Sequence, residues 1–445
     1  MGNMLTPSTA PIGGPGTAPE TADLASLAEH TGTPAYVFFE QTLRDRHAAL
    51  RRSLAAAEPV RLYYSVKSNF ESRVLATLRD LGCGAEISGA VERLAVERAR
   101  FGWDRVVFDG PVKDEDEVEH AVRNSVHLIN LECEQELEVL RRVARHTGRR
   151  VRVGVRLSPA LRGPGYGLVI RTYRDKFGFQ MQDLERVSEL VRGMEEIEWT
   201  GLLVHVGSPV TRAEPYLRVL EQCFAAAAAL RQHGIRIEEI NLGGGFPADP
   251  MLNLRLPRRV RFARLWERFG WLEAAAESSS TLAERLAAAV VHLRRRYELP
   301  ATIAFEPGRT LVASAGIMLG RVRALRSPWV FVDISLNDLP EKLSFAERRL
   351  AFPGRSGAPL TERRHIGGPT LATGDVLFYD CIVPELRCGD TIAIFDAGAY
   401  SIARANQFTR PRPAVYFVDA RGVLHLIRRA EAATDVLQTQ AWNEA

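Results

Sequence analysis

From about residue 41 to residue 300, short runs of apolar, β-branched residues alternate with longer stretches whose apolar positions recur at i, i+3 and i+4. The runs predicted as strands are Val60–Tyr64, Val106–Phe108, His127–Asn130, Val151–Arg156, Trp199–His205, Ile237–Leu242 and Ala301–Phe305. The predicted helices are Thr42–Ala57, Arg73–Leu81, Ala90–Phe101, Glu134–Thr147, Met181–Met194, Ala213–His233 and Thr281–Tyr297. Seven or eight βα units spread over about 260 residues match the size of a (β/α)8 barrel. After residue 305 the texture changes to short strand-like runs (Val330–Val332, Val376–Tyr379, Thr391–Phe395, Val415–Val418, Val423–Arg428) parted by Gly, Pro and Asp clusters, which predicts an all-β domain. The expected organisation is a flexible leader over 1–22, a segment 23–40 that packs with the β-domain, a barrel over 41–304 and a β-domain over 305–445.

Composition narrows the function class. The 445 residues are 46% hydrophobic and 25% charged, ordinary for a globular chain with two cores. A formal net charge of +4 on this length argues for neither a nucleic-acid nor a membrane-surface partner. No apolar run reaches the roughly 18 residues of a membrane span, and the leader lacks the basic and apolar regions of a signal peptide. The five cysteines (Cys83, Cys133, Cys223, Cys381, Cys388) have no metal-ligand spacing and fit a reducing, cytoplasmic setting, so no metal is expected. The insertion 249–280 carries Arg255, Arg258, Arg259, Arg261, Arg264 and Arg268 with Trp266 and Trp271 interleaved. Such a segment is either a solvated basic face or a dock for an acidic partner such as a carrier protein.

Lysine is scarce: Lys67, Lys113, Lys176 and Lys342 are the only four, so chemistry that needs an amine has four candidates. Lys67 ends an apolar strand, the position from which barrel enzymes project catalytic groups, and a buried lysine amine with a depressed pKa is a nucleophile. Gly243-Gly244-Gly245 closes another strand, and consecutive glycines let backbone N–H groups approach an anion. His205 and Ser208 end the strand before it, and Glu306-Pro307-Gly308-Arg309 places a carboxylate beside a guanidinium after the last. Taken singly, each has a structural explanation: a snorkelling lysine, a tight turn, a core histidine, a local salt bridge.

Four such strand ends in this order make the chain resemble the fold-type III pyridoxal-phosphate enzymes, the family of ornithine, arginine and diaminopimelate decarboxylases. The resemblance runs from about residue 25 to 435 and includes Tyr64-Ser65-Val66-Lys67-Ser68-Asn69, Gly82 to Ser88, Lys176-Phe177-Gly178-Phe179, His205-Val206-Gly207-Ser208, Gly243 to Phe246, Glu306 to Arg309, Gly368-Pro369-Thr370 with Gly374-Asp375, and Gly389-Asp390 leading to Gly398-Ala399-Tyr400. It implies an alanine racemase-like, TIM-type barrel with a C-terminal all-β domain and pyridoxal 5'-phosphate as cofactor. It also implies that Lys67 carries the cofactor, His205 stacks on its ring and Glu306 pairs with the ring nitrogen. Ser208, Gly243, Gly244, Gly245, Gly308, Arg309 and Tyr400 would surround the phosphate, and Glu86 stands where the family usually has aspartate. A homodimer with shared active sites is implied, with Lys176 and Asp375 bridging the chains.

The departures fall around the substrate. The family's proton-donor cysteine is replaced by Leu371, which has no proton to give, and the acidic residue after it by Ala372. Glu341 and Phe345 stand in place of the arginine and tyrosine that serve a distal carboxylate. On that basis the expected activity is decarboxylation of an amino acid or derivative other than diaminopimelate, in specialised metabolism. The alternatives are a carrier-tethered aminoacyl substrate, decarboxylation coupled to transamination, racemisation, and a catalytically inactive homologue serving as a binding subunit.

Overall fold

In the computed structural model, which describes residues 12–159, 176–248, 277–341 and 348–441, the βα alternation closes on itself. The first strand, β1 (Ala35–Phe39), belongs to a second unit. Eight later strands form the barrel: β2 (Val60–Ser65), β3 (Gly84–Ile87), β4 (Val106–Phe108), β5 (Leu128–Leu131), β6 (Val151–Ser158), β8 (Ile197–Val204), β9 (Glu239–Asn241) and β10 (Thr302–Phe305). Each pairs in parallel with the next and β10 returns to β2, while the two-residue β7 (Phe179–Gln180) pairs with β6 outside the closed path. The barrel unit comprises described residues 47–248 and 277–310, the other unit 12–46 and 311–441.

Strand side chains alternate with period two, so the residues that line the inside of a barrel form rows along each strand. One layer inside is apolar: Tyr63, Val107, Leu128 and Ala304 form a buried cluster. Close to it, near the beginnings of the strands, Glu239 accepts hydrogen bonds from Tyr63 Oη (2.9 Å) and Arg61 Nη1 (2.8 Å), with His127 Nε2 3.2 Å away. A buried carboxylate is tolerable only when it is paired in this way. Burial alone would push the Glu239 carboxyl up, but the His127, Arg61 and Tyr63 contacts outweigh it and hold the group below its ordinary value.

Outside, the helices turn one apolar stripe inward. Leu184–Arg192 buries Leu184, Val187, Ser188 and Val191, and the alanine-rich Ala213–Gln232 packs closely on Ser279–Tyr297. The pattern misses β3, whose Gly-Ala-Glu-Ile run is four residues long and contains a buried carboxylate, and the helix Glu115–Arg123, started by an Asp114–Glu117 capping box.

The second unit is built around β1. All five of its residues are buried, and it lies between β11 (Gly316–Arg326), antiparallel, and β17 (Ala414–Val418), parallel. The remaining strands are β12 (Trp329–Val332), β13 (Leu350–Ala351), β14 (Glu362–Gly367), β15 (Val376–Val383), β16 (Thr391–Ile394) and β18 (Leu424–Arg428). The sheet runs β15-β14-β12-β11-β1-β17-β18, with β16 joining β11 to β13. Wholly buried Phe38 and Phe39 contribute about 2–3 kcal/mol each, which explains how one early segment anchors a domain made mostly of the end of the chain. Among the described residues no helix is long and apolar enough to cross a membrane. Residues 249–276, which hold the insertion's arginines and tryptophans, lie outside the described residues.

Glu239→Ala should destabilise the protein by about 3 kcal/mol in urea unfolding, because it strips the acceptor from a buried phenol and a guanidinium. The lowered carboxyl pKa adds a signature. Its stabilisation is complete above the unfolded value of about 4.3 and is lost as pH falls through the folded one, so the variant should lose stability less steeply than wild type on acidification.

Candidate active site

The inward rows continue past the apolar layer, and two residues further along each strand they become polar. Tyr63 is followed by Ser65, Val107 by Asp109, Leu128 by Asn130 and Ala304 by Glu306, while Glu239 is followed by Asn241. Arg156, near the end of β6, and His205, just after β8, complete the ring. The polar layer thus sits at the C-terminal ends of the strands, where barrel enzymes build their sites.

Lys67 lies in a short turn, Val66–Ser68, directly after β2. Its Nζ donates to both carboxylate oxygens of Glu86, at 2.6 and 2.5 Å, and Ser65 Oγ donates to the same carboxylate at 2.7 Å. The lysine side chain is 46% exposed and the glutamate 1%, so the amine faces the open side and the carboxylate the interior. Burial pushes the Glu86 carboxyl up, but the Lys67 ammonium and the Ser65 hydrogen bond hold it below the usual range.

Two more buried carboxyls stand beside it. One oxygen from each of Glu86, Asp109 and Glu306 lies within 4.8 Å of the others. Asn130 Nδ2 donates to Asp109 at 2.6 Å, and Asn241 Nδ2 donates to Glu306 Oε1 at 2.8 Å while Asn241 Oδ1 accepts from Gly243 N at 2.9 Å. Amides orient carboxyls without neutralising them. Burial and the Glu86 charge push Asp109 up to about 6. Burial, Asp109 and Glu86 together push Glu306 far above the carboxylate range. The same trio is the one set of ligand-bearing groups among the described residues that converges closely enough for a cation, and the Lys67 ammonium supplies positive charge there. His205 is pushed down to about 3 by burial and by the Arg156 and Lys67 charges, so it presents a neutral, flat ring. Arg156 is held by Glu132 at 2.6 Å.

The glycine turn is shaped by contacts that no other residue fits. A Cβ on Gly243 (φ 66°) would come within 2.9 Å of His205 Nδ1, and one on Gly245 (φ 98°) within 2.0 Å of Gly207 O. All three carbonyls face back into the protein: Gly243 O accepts from Glu306 N (2.9 Å), Gly244 O from Tyr216 Oη (2.6 Å) and Gly245 O from Val210 N (2.8 Å). The Gly244 and Gly245 N–H groups make no hydrogen bond among the described residues, which leaves a pair of amide donors for an anion. At Gly308 a Cβ would meet Ser68 and Ser65 at 3.0–3.1 Å, and Arg309 follows it at the start of a short helix, Arg309–Val312. An amine, a flat neutral ring, a proton-holding acid and an anion cradle together fit pyridoxal phosphate.

The barrel unit thus brings together Lys67, Glu86, His205, Gly243, Gly244, Gly245, Glu306, Gly308 and Arg309, with the exposed Ser208 on the loop after β8. Tyr400, Glu341, Leu371, Ala372 and Asp375 belong to the second unit, and Phe345 lies outside the described residues. Leu371 is fully exposed. Asp375 is buried, and its oxygens accept from Leu336 N (2.7 Å), Thr370 N (3.0 Å) and Thr370 Oγ1 (2.6 Å), so it holds its own turn together. A bridge from it to Lys176, an exposed residue of the barrel unit, concerns a second copy. The sequence reading missed Asp109, Asn130, Arg156 and Asn241. Asp109 and Asn130 lie two residues beyond Val107 and Leu128 of the apolar layer, Asn241 two beyond Glu239, and Arg156 two beyond Gly154, whose Cβ would meet Asn130.

A model of the pyridoxal-binding domain of the pyridoxal-dependent decarboxylases matches residues 40–313. Diaminopimelate decarboxylase of Pseudomonas aeruginosa is 31% identical over 94% of this chain and 95% of its own length, and that of Aquifex aeolicus 28% over 93% and 92%. The crystal structure of M. jannaschii diaminopimelate decarboxylase in co-complex with L-lysine matches with a TM-score of 0.83 at 24% identity, covering 95% of each chain. These findings overturn the expectation that diaminopimelate is excluded. That expectation rested on Glu341 and Phe345, two positions set against a likeness that covers more than nine-tenths of the chain. A carrier-protein partner finds no support in them, and the relatives are catalysts rather than binding subunits.

Gly245→Ala should weaken pyridoxal phosphate binding by at least about tenfold, or 1.4 kcal/mol, measured by fluorescence titration of the cofactor-free protein. Val74→Ala, a helix substitution away from the turn, should leave the affinity within about twofold even though it costs stability.

Proposed function

The chain belongs to the pyridoxal-dependent decarboxylases, and from that membership we propose that it removes one carboxyl group of diaminopimelate to give lysine. Its cofactor is pyridoxal phosphate, and its reaction is the decarboxylation of an amino acid. The observation that carries the substrate is the run of relatives of that name, matched along more than nine-tenths of the chain with the lysine, acid and glycine turn in place. When bound, pyridoxal phosphate supplies a protonated ring that takes up the electron pair left at the α-carbon as the bond to the carboxyl group breaks.

The chain's own residues do the rest. Lys67 holds the cofactor through its amine, and Glu86, which grips that amine with both oxygens, orients it. Glu306 keeps a proton at the ring nitrogen, with its carboxyl turned by Asn241. His205, neutral and seated against Gly243, would pack on the ring, and the Gly244 and Gly245 N–H groups with Arg309 would take the phosphate. Leu371 has no proton to return to the α-carbon, and that donation is assigned to Lys67, which would carry the proton as an ammonium only while its amine is not holding the cofactor. The working form is a homodimer in which the exposed Leu371–Ala372 loop of one copy contributes to the substrate pocket of the other.

Purified protein with pyridoxal phosphate should release one lysine per carbon dioxide from meso-diaminopimelate, and Lys67→Ala should lower that rate by at least about a thousandfold and abolish the yellow absorbance. Light scattering should give twice the 49.4 kDa chain mass. Faster release of carbon dioxide from ornithine or arginine than from diaminopimelate would overturn the substrate assignment.

A further inference from the structure

Asp109 is the one member of the carboxyl trio for which the proposed reaction has no task. It directly follows β4 and is 5% exposed. Its backbone N–H is tied to Ile87 O at 2.8 Å, and one carboxyl oxygen lies within 4.8 Å of both Glu86 and Glu306. We propose that Asp109 is a positioning residue: it shares one proton with Glu306 and so sets how firmly Glu306 keeps the proton on the cofactor's ring nitrogen. The inference rests on the assignment of Glu306 to that nitrogen.

The geometry leaves few alternatives for the pair's charge. The groups that face it are Lys67 from the turn after β2, Glu86 from β3, Asn130 from β5, Arg156 from β6, His205 after β8 and Asn241 from β9. Lys67 donates to Glu86, Arg156 is held by Glu132, His205 is neutral, and the two asparagines donate hydrogen bonds but carry no charge. Two buried carboxylates this close cannot both stay ionised without a cation of their own. In the cofactor-free protein the pair therefore retains one proton. When a protonated ring arrives at Glu306, that proton leaves to solvent, and the remaining negative charge favours the ring N–H. Only an O–H bond is broken in the exchange.

The test is infrared spectroscopy of the cofactor-free protein across pH, read at the C=O stretch of a protonated carboxyl, together with the pH dependence of the cofactor's absorbance in the loaded protein. Wild type at pH of about 7.5 should show the band, and both pyridoxal phosphate and Glu306→Gln should remove it. Asp109→Asn keeps an acceptor for Asn130 and nearly the same shape. It should lower the band's midpoint by about one pH unit or more, a tenfold change in proton affinity, and lower the midpoint of the cofactor absorbance in the same direction. Asn130→Ala, which withdraws a donor from the Asp109 carboxylate, should move the infrared midpoint upward, so the proposal does not hang on one variant. Midpoints unmoved by both variants would overturn it. If Glu306→Gln leaves the cofactor absorbance profile untouched, the ring-nitrogen assignment is what fails; if that variant shifts the profile and Asp109→Asn does not, only the shared proton is lost.

Discussion

Three carboxyl groups buried at the mouth of one barrel form the constraint around which the site is arranged. At 4.8 Å and an effective dielectric constant of about 20, each ionised pair repels by roughly 3 kcal/mol, and one ammonium cannot satisfy all three. The structure resolves the conflict unevenly. Glu86 takes Lys67 and stays charged, while Asp109 and Glu306 receive amide donors, which fix their direction and ease their charge without neutralising it. The site is left short of a cation, the charge that a protonated pyridine ring would supply if it pairs with Glu306 as proposed. On that proposal, cofactor affinity and the protein's own electrostatic balance are the same problem seen from two sides.

The barrel can hold such a layer because the layer below it is closed. Tyr63, Val107, Leu128 and Ala304 fill the interior, and Glu239 with Arg61 and Tyr63 caps the end where the strands begin. The rows through Tyr63, Val107, Leu128 and Ala304 therefore pass from packed to polar within two residues, with Lys67 half-exposed above the buried carboxyls. The glycines at 243–245 belong to the same logic. Their missing side chains let His205 and Gly207 come close, and their back-turned carbonyls leave N–H groups toward the anion.

Much of this is legible in the sequence, and the exceptions have physical causes. All the barrel strands but β3 are found within a few residues of their true ends, because their apolar runs stand out between polar turns. β3 and β14 are missed because Gly-Ala-Glu-Ile and Glu-Arg-Arg-His-Ile-Gly carry charges where an apolar pattern is sought. β1 is apolar throughout, but its partners β11 and β17 lie far along the chain, and no local signal points to them. Lys67, Glu306 and the glycine turn announce themselves as chemistry at strand ends. Asp109 and Arg156 do not, because a lone acid or base on a strand looks like a solvated edge until its row is known to face inward. The substrate expectation failed for a different reason: Glu341 and Phe345 speak about one end of a ligand, whereas the likeness to diaminopimelate decarboxylases extends over more than nine-tenths of the chain.

The central claim is that this polar layer is a pyridoxal phosphate site with Lys67 and Glu306 at opposite tasks. The most direct measurement is a crystal structure of the protein grown with pyridoxal phosphate. Continuous density is expected from Lys67 Nζ to the cofactor, with the ring nitrogen within hydrogen-bond distance of Glu306, the imidazole of His205 flat against the ring, and the phosphate on the Gly243–Gly245 turn. Cofactor bound elsewhere, with Lys67 still held by both oxygens of Glu86, would contradict it.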